Sequence, residues 1–527
     1  MLYGFKALGL IGLGLSAFAG GAQAALTYPG CADVKASDFT VVPLINNATD
    51  KSVQEPIKMA FDMDASGNVD VYFTQRFGKV RKWSGARRAM ITIADFAFTA
   101  AQLPDTRHSK GLNGIVLDPG FKTNHWAYIY IGLDNDWHVS RFRVEGDKLD
   151  LATERQIFQF DGGGKATTHV AGALHFDVDG NLWISNAENE AESPSANTNS
   201  YLGKILRIKP IPFADGGAVP KPGMGTTYEI PTGNLYPVGT AKTLPEIYIM
   251  GARNPYTFSL DAKRKAVAWG DVGPDGYGQT EEYNLARKPG NYGYPGWAGN
   301  NKALKGQGYG TPAAPLNNQP DNTGLTTLPA VQLPLLAYNE ACAISGPIYY
   351  YDASVKSAYK WPPHFNGAWI ISDFNSSYID ALELDDEGTK ILSRMPILAA
   401  NAGGQLNKPG DVQMGPDGAL YVMNYSGFRS WNAQTGLLRV EYHGDCHPVS
   451  NVALTLPGPR FRLEGTRLRI DYAGRHRLSV ADPLGRLESL QAGAGPAEYE
   501  LGAGLAPGLH ILRIVFPGGV RTATFIR

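Results

Sequence analysis

His169 stands in the segment TTHVAG, and an imidazole is the side chain whose proton affinity lies closest to working pH. In a cleft it would serve as a general base; in a loop it would only tie down backbone. Arg253 and Asn254 stand in GARNP. A planar guanidinium that never loses its charge suits two adjacent oxygens, and it suits a structural ion pair at a sheet edge nearly as well. Gly273 and Pro274 stand in DVGPDG, where backbone carbonyls offer hard oxygen donors to a cation such as calcium, or simply close a turn. Other chemistries leave no mark. The chain has no G-x-x-x-x-G-K-[ST], H-E-x-x-H, G-x-S-x-G or C-x-x-C-H, and Glu281 and Glu282 are neighbours that a strand would point apart, so no glycosidase pair is evident.

These residues fall between, or at the ends of, repeats of one grammar: a turn with Gly or Asn, then a short aromatic or β-branched run. The six runs are GNVDVYFTQ (67–75), NHWAYIYIG (124–132), GNLWISNAE (180–188), KAVAWGDVG (265–273), NGAWIISDF (366–374) and GALYVMNYS (418–426). Several are followed, after a tight turn, by a second run, as in GKVRKWS (78–84), VSRFRVEGD (139–147) and TGLLRVEYH (435–443). Strand, turn, strand, repeated six times, predicts the blades of a β-propeller, because one such sheet cannot bury both its faces alone. The stretch 296–335, rich in Gly, Pro and Asn, widens one interval and reads as a surface loop over one mouth. Past residue 447 the texture becomes short Arg-rich alternating runs, which predicts a separate small β-sandwich of roughly seven strands over 450–527.

Composition sets the frame. The 527 residues carry 48 basic and 49 acidic side chains, for a net charge of −1, which argues against a nucleic-acid partner. With 62 glycines, 26 tyrosines and 9 tryptophans, the chain is β-rich in character. Residues 1–24 read as a Sec signal peptide: Lys6, an apolar run over 7–19, and a small-x-small site at Ala22-Gln23-Ala24. The run is short for a bilayer, and no other segment is long enough to span one, so a periplasmic or extracellular location is expected. Of three cysteines, Cys31 and Cys446 bracket the repeats; a circular body over 25–446 would bring them together as a disulfide, leaving Cys342 free.

An ordered set of motifs, GLNGIVLDPGFKTNHWAYIYI, THVAGALHFDVDGNLWIS, GKILRIKP, PEIYIMGARNPYTFSLD, GDVGPDGYGQTEEYN and GNYGYP, resembles the glucose/sorbosone dehydrogenase family of soluble quinoproteins, over most of residues 40–443. The resemblance implies an all-β, six-bladed β-propeller that oxidises the C1 hydroxyl of an aldose sugar to a lactone, with pyrroloquinoline quinone (PQQ) and Ca²⁺, and passes electrons to an external acceptor. It casts His169 as general base and Arg253 as the group that holds and polarises the quinone oxygens. Asn254 and Lys408 join Arg253 at the cofactor, and the carbonyls of Gly273 and Pro274 bind the calcium. The closing run GLHILRIVFPGGVRTATFIR resembles the sorting or attachment modules of secreted bacterial enzymes, which implies a cell-surface or secretion-system contact.

The chain departs from the family's pattern in three places. Where the family sets a base against the cofactor carboxylates, residues 372–377 read SDFNSS and offer Asp373. In 407–411 only Lys408 is basic, with Gly410 in place of a second base. The acid after the His strand is Glu188 rather than Asp. An acid near a trianion weakens its binding. A non-catalytic carbohydrate-binding propeller and a calcium-dependent lactone hydrolase are the alternatives.

Overall fold

The computed structural model describes residues 34–527, apart from 100–101, 104–108, 164–167, 214–218, 275–279, 305–307, 340–341, 401, 428–430, 445, 447–453, 457–459, 473–474, 484–485 and 517–518. The fold is all-β, as the runs predict; the one α-helical turn described is Phe121–Asn124.

Each of the six aromatic runs forms the second strand of an antiparallel sheet. Sheet I is Pro56–Met63, Val69–Gln75, Lys79–Ser84 and Ala89–Asp95. Sheet II is Gly111–Leu117, Trp126–Gly132, Trp137–Glu145 and Lys148–Phe160. Sheet III opens with Ala171–Phe176, Leu182–Asn186 and Lys204–Pro210, then takes Ile247–Met250. Sheet IV is Thr257–Asp261, Ala266–Asp271, Glu281–Ala286 and Leu336–Tyr338. Sheet V is Ala343–Ile348, Trp369–Asp373, Tyr378–Leu384 and Ile391–Leu398. Sheet VI joins Pro409–Met414, Leu420–Asn424 and Gly436–Tyr442 to Phe39–Asn46 from the other end of the body.

The second strands are mostly apolar and almost wholly buried because both sheet faces are covered. Trp126–Gly132 is buried at all seven positions. The turns leading into them repeat one device. In DASGN and DVDGN, the Asp64 and Asp177 carboxylates accept the backbone N–H groups of Asn68 and Asn181, and Gly67 and Gly180 take φ of +83° and +76°.

The first strands touch in sequence order, sheet I to II and onward to VI, and the first strand of VI returns to that of I. Their approach is close enough to select residues. A Cβ at Gly114 would lie 1.9 Å from the Gly172 carbonyl oxygen. Phe39 seats the N-terminal strand of sheet VI, its ring 4.8 Å from that of Trp361 and 5.4 Å from that of Tyr442.

The stretch 296–335 is more than a surface loop. Trp297, Tyr309 and Leu328 are buried in the cluster that unites sheets II and III, and Asn317 Nδ2 donates to the Ala196 carbonyl at 3.1 Å. Beyond the body, two further sheets share one apolar cluster. One is Leu454–Leu456, Arg460–Glu464, Arg467–Asp471 and Ala497–Glu500; the other is Leu487–Ala494, Arg475–Ala481, Leu509–Phe516 and Gly519–Ile526. In Arg467–Asp471 the two apolar side chains are buried and the three charged ones exposed, the alternation of a sheet with one wet face. Cys342 is not part of a disulfide and Cys446 is buried, while Cys31, its expected partner, lies outside the described residues, as does the segment 1–24. Among the described residues no helix is long and apolar enough to cross a membrane.

Leu438 is 2% exposed and sits between the clasp strand Phe39–Asn46 and the strand Leu420–Asn424. Leu438→Ala is expected to cost about 2–5 kcal/mol of stability, read as a lowered urea midpoint with unchanged slope.

Candidate active site

In an antiparallel sheet the first strand begins where the second ends. Residues at those two places in all six sheets therefore gather at one end of the ring. They enclose a cavity of about 300 Å³. Ile57, Asn113, Val170, Tyr256 and Ile344 come from the starts of first strands; Arg76, Val272, Phe374 and Tyr425 come from just beyond second strands. His169, Arg253 and Asn254 line the same cavity.

His169 enters it from the residue pair before the first strand of sheet III, with φ of +58°. Its carbonyl accepts the Asn189 N–H at 3.2 Å, and the Val170 carbonyl accepts that of Ala187 at 3.3 Å. Those bonds bring Glu188 beneath the ring: His169 Nδ1 lies 2.6 Å from Glu188 Oε1. The Glu188 side chain is 1% exposed and that of His169 18%. A buried carboxylate on Nδ1 orients the imidazole, fixes the proton there, and leaves Nε2 for a ligand.

Arg253 shares that carboxylate. Its Nε lies 3.9 Å from Glu188 Oε1, its Nη1 donates to the Val272 carbonyl at 2.9 Å, and its carbonyl accepts the Glu188 N–H at 2.9 Å. The backbone at Arg253 and Asn254 is clamped by Asp271, whose carboxylate accepts both N–H groups at 2.7–3.1 Å. Burial raises the Asp271 carboxyl to about 6, against the pull of those bonds and of Arg253. The side-chain oxygens of Asn113 and Asn254 are buried in the cavity wall without a hydrogen-bond partner. Such oxygens accept, so they match a ligand that carries hydroxyl or N–H groups.

Not every candidate reaches this cavity. Gly273 and Pro274 border a narrow adjacent space with Arg253, Asp271 and Glu282, and the Gly273 N–H donates to Glu281 at 3.1 Å. Lys408, at the entry of sheet VI, stands beside the lining residue Phe374, its Nζ 5.5 Å from the ring centre. Gly410 supplies a carbonyl to Lys58 Nζ at 3.4 Å, and that ammonium, packed 3.4 Å from the Tyr256 ring centre, is drawn down to about 8 by burial.

Asp373 is turned away from the cavity. Its side chain is buried in sheet V, where it accepts the Tyr338 hydroxyl at 2.9 Å and the N–H groups of Asn375 and Ser376 at 2.9 and 2.7 Å. The acid that stood as an objection to an anionic ligand is thereby removed from the wall.

Arg76, Asn113, Tyr425 and Lys58 escape sequence reasoning. Arg76 directly follows the second strand of its sheet, as Val272, Phe374 and Tyr425 follow theirs. The polar or aromatic residue at the close of each aromatic run is the signal that could have found it.

Residues 53–427 match the family model described as glucose/sorbosone dehydrogenase. The chain belongs to the glucose/sorbosone dehydrogenase family. Within reach of this family, aldose sugar dehydrogenase YliI of Escherichia coli (strain K12) is 24% identical over 380 residues, 70% of this chain and 87% of that protein. HIPL1 protein of Arabidopsis thaliana is 35% identical over 146 residues, 27% of this chain and only 20% of the plant protein. Among solved structures, the PQQ-bound aldose sugar dehydrogenase of Streptomyces coelicolor superposes with TM-score 0.53 at 19% identity, covering 76% of this chain and 98% of that one. The apo-form soluble aldose sugar dehydrogenase of Escherichia coli gives 0.53 at 21% identity, over 77% and 99%. At such identities the likeness is one of fold, and the glucose/sorbosone dehydrogenase assignment rests on the family match.

Burial raises the Asp373 carboxyl from 3.8 to about 6. The folded chain therefore holds a proton that the unfolded chain releases between about pH 4 and 6, so this group's contribution to stability falls as pH rises through that window. Asp373→Asn removes the effect. The stability difference, variant minus wild type, should rise by about 2–3 kcal/mol between pH 4 and pH 7 in urea titrations; a flat difference would remove Asp373 as the cause.

Proposed function

We propose that this chain is a secreted, PQQ- and Ca²⁺-dependent aldose dehydrogenase that oxidises a sugar C1 hydroxyl to the lactone and passes the electrons to an external acceptor. One observation carries the reading: an imidazole backed by a buried carboxylate shares a single cavity with Arg253 and Asn254. The cavity also fits a planar polyanion. Val170, Val272, Ile344 and Phe374 give it apolar walls, Arg253 and Arg76 give it permanent positive charge, and none of the described residues that line it is an acid.

In this reading Arg253, Asn254 and Lys408 hold the cofactor, and the Gly273 and Pro274 carbonyls hold calcium beside it. PQQ, when bound, supplies the two-electron acceptor for the C1 hydride. The protein's part is positioning and proton transfer. Nε2 of His169 takes the C1 hydroxyl proton. Glu188 then faces an imidazolium through Nδ1 and stabilises it, while the Asp271 clamp keeps the Arg253 fork in place. The apolar walls exclude water and strengthen each of these interactions.

His169→Ala should lower turnover by roughly 10²–10⁴-fold with cofactor binding nearly intact. Arg253→Ala should weaken both. The assay adds PQQ and Ca²⁺ to the purified chain and follows dye reduction with a panel of aldoses. A chain that takes up sugar but no PQQ at micromolar concentration would instead be the carbohydrate-binding protein, and turnover indifferent to His169→Ala would defeat the mechanism.

The ring of six sheets is read as a six-bladed β-propeller, sealed by a Cys31–Cys446 disulfide, and residues 450–527 as a β-sandwich that contacts the cell surface or secretion machinery. Residues 25–449 expressed alone should fold cooperatively. Their unfolding temperature should drop on reduction, because a bridge between the ends of so long a loop stabilises by about 2–5 kcal/mol.

A further inference from the structure

We infer that Asn189 is a positioning residue for the His169–Glu188 pair and that it acts through its side-chain amide. This rests on the reading of His169 as the base of the central cavity. Asn189 directly follows Glu188, is 6% exposed, and is not among the described residues that line the cavity. Its effect on a ligand therefore passes through its neighbours.

The turn that carries Glu188 is anchored from two sides. On one side the Glu188 N–H donates to the carbonyl of Arg253, on the approach to sheet IV, at 2.9 Å. On the other the Asn189 N–H donates to the His169 carbonyl at 3.2 Å, and Asn189 Nδ2 donates to the Gly162 carbonyl. Gly162 lies just beyond the last strand of sheet II and is packed on the indole of Trp137, which has no exposure: a Cβ at Gly162 would lie 2.1 Å from Trp137 Nε1. The amide thus ties the turn to the core of sheet II. The turn needs such a tie, because Asn189, Glu190 and Glu192 all have left-handed φ, +58°, +57° and +55°, and strain of that kind persists only where surrounding bonds over-determine it. Glycine would suit the dihedral at Asn189 with less strain. Asparagine carries a cost that glycine would not, since with Nδ2 on Gly162 its Oδ1 is buried without a hydrogen-bond partner. What it adds over glycine is the Nδ2 bond, one residue from the acid whose Oε1 lies 2.6 Å from His169 Nδ1. With that bond lost, the carboxylate is free to shift from Nδ1, and the imidazole loses the orientation that aims Nε2 at a ligand.

Two variants of the full-length chain test this. Asn189→Gly keeps the dihedral and the backbone N–H and removes the amide; Asn189→Asp keeps the shape and sets a carboxylate against the Gly162 carbonyl. In apoprotein made with isotope-labelled histidine, the Nδ1–H proton resonance of His169 is assigned by its absence in His169→Gln. That proton should exchange with water at least about tenfold faster in both variants than in the wild type. In the chain loaded with PQQ and Ca²⁺, kcat for glucose should fall roughly 10–10²-fold while the glucose KM and the PQQ affinity stay within about threefold of wild type. A merely structural asparagine would lower the urea midpoint and leave the exchange rate and kcat where they were. That result in Asn189→Gly overturns the inference, as do faster exchange with unchanged kcat and a failure of both variants to fold. A wild-type chain that oxidises no aldose sinks the dehydrogenase reading, and the apoprotein then decides on Asn189 by itself: faster exchange in Asn189→Gly upholds its hold on the pair, and unchanged exchange overturns it.

Discussion

A four-stranded sheet with two apolar faces cannot end in water. In this chain each such sheet covers its faces with the sheets before and after it, and the series terminates only because the sixth packs against the first. The closing sheet is made from both ends of the body, Phe39–Asn46 paired with Gly436–Tyr442. The pairing makes closure a property of the whole body rather than of any one repeat. Buried strands such as Trp126–Gly132 follow from that covering, as does the small residue required at Gly114.

The same constraint makes the site. Because every sheet runs in the same sense, the starts of the first strands and the ends of the second strands share one end of the ring. Side chains more than three hundred residues apart, Arg76 and Tyr425 among them, therefore meet around one carboxylate, Glu55. His169 and Arg253 meet in the same way around Glu188. Each cavity cation is thus backed by a buried acid, and the imidazole is oriented by the acid that also faces Arg253. Among the described residues, Arg76, Arg253 and His169 line the cavity and Glu55 and Glu188 do not.

Much of the fold was readable in advance. The six aromatic runs proved to be the six second strands, since a strand buried on both faces has to be largely apolar whatever lies beside it. His169, Arg253 and Asn254 were singled out from local words in the sequence and do share a cavity. Asp373 shows the limit of such reading. Its neighbours placed it opposite the cofactor, yet its carboxylate turns inward to Tyr338 and the backbone of residues 375–376, a direction set by packing across sheet V. The Gly- and Pro-rich stretch 296–335 likewise looked like loop, but three of its side chains are part of a core.

What the sequence by itself determined is the set of elements and the kinds of chemistry available to them. Short aromatic and β-branched runs, Asx–Gly turns and a motif order belonging to one family are all local, and local signals survive without coordinates. Only the tertiary structure decided which charges face which. That Glu188 serves both His169 and Arg253, that Glu55 holds Arg76 in the cavity wall, and that Lys58 is buried against Tyr256 all depend on where ring closure brings distant strand ends. The physical reason is range. A turn or an alternation is set by residues a few positions apart, while the partner of a buried charge is chosen by the packing of sheets that are far apart along the chain.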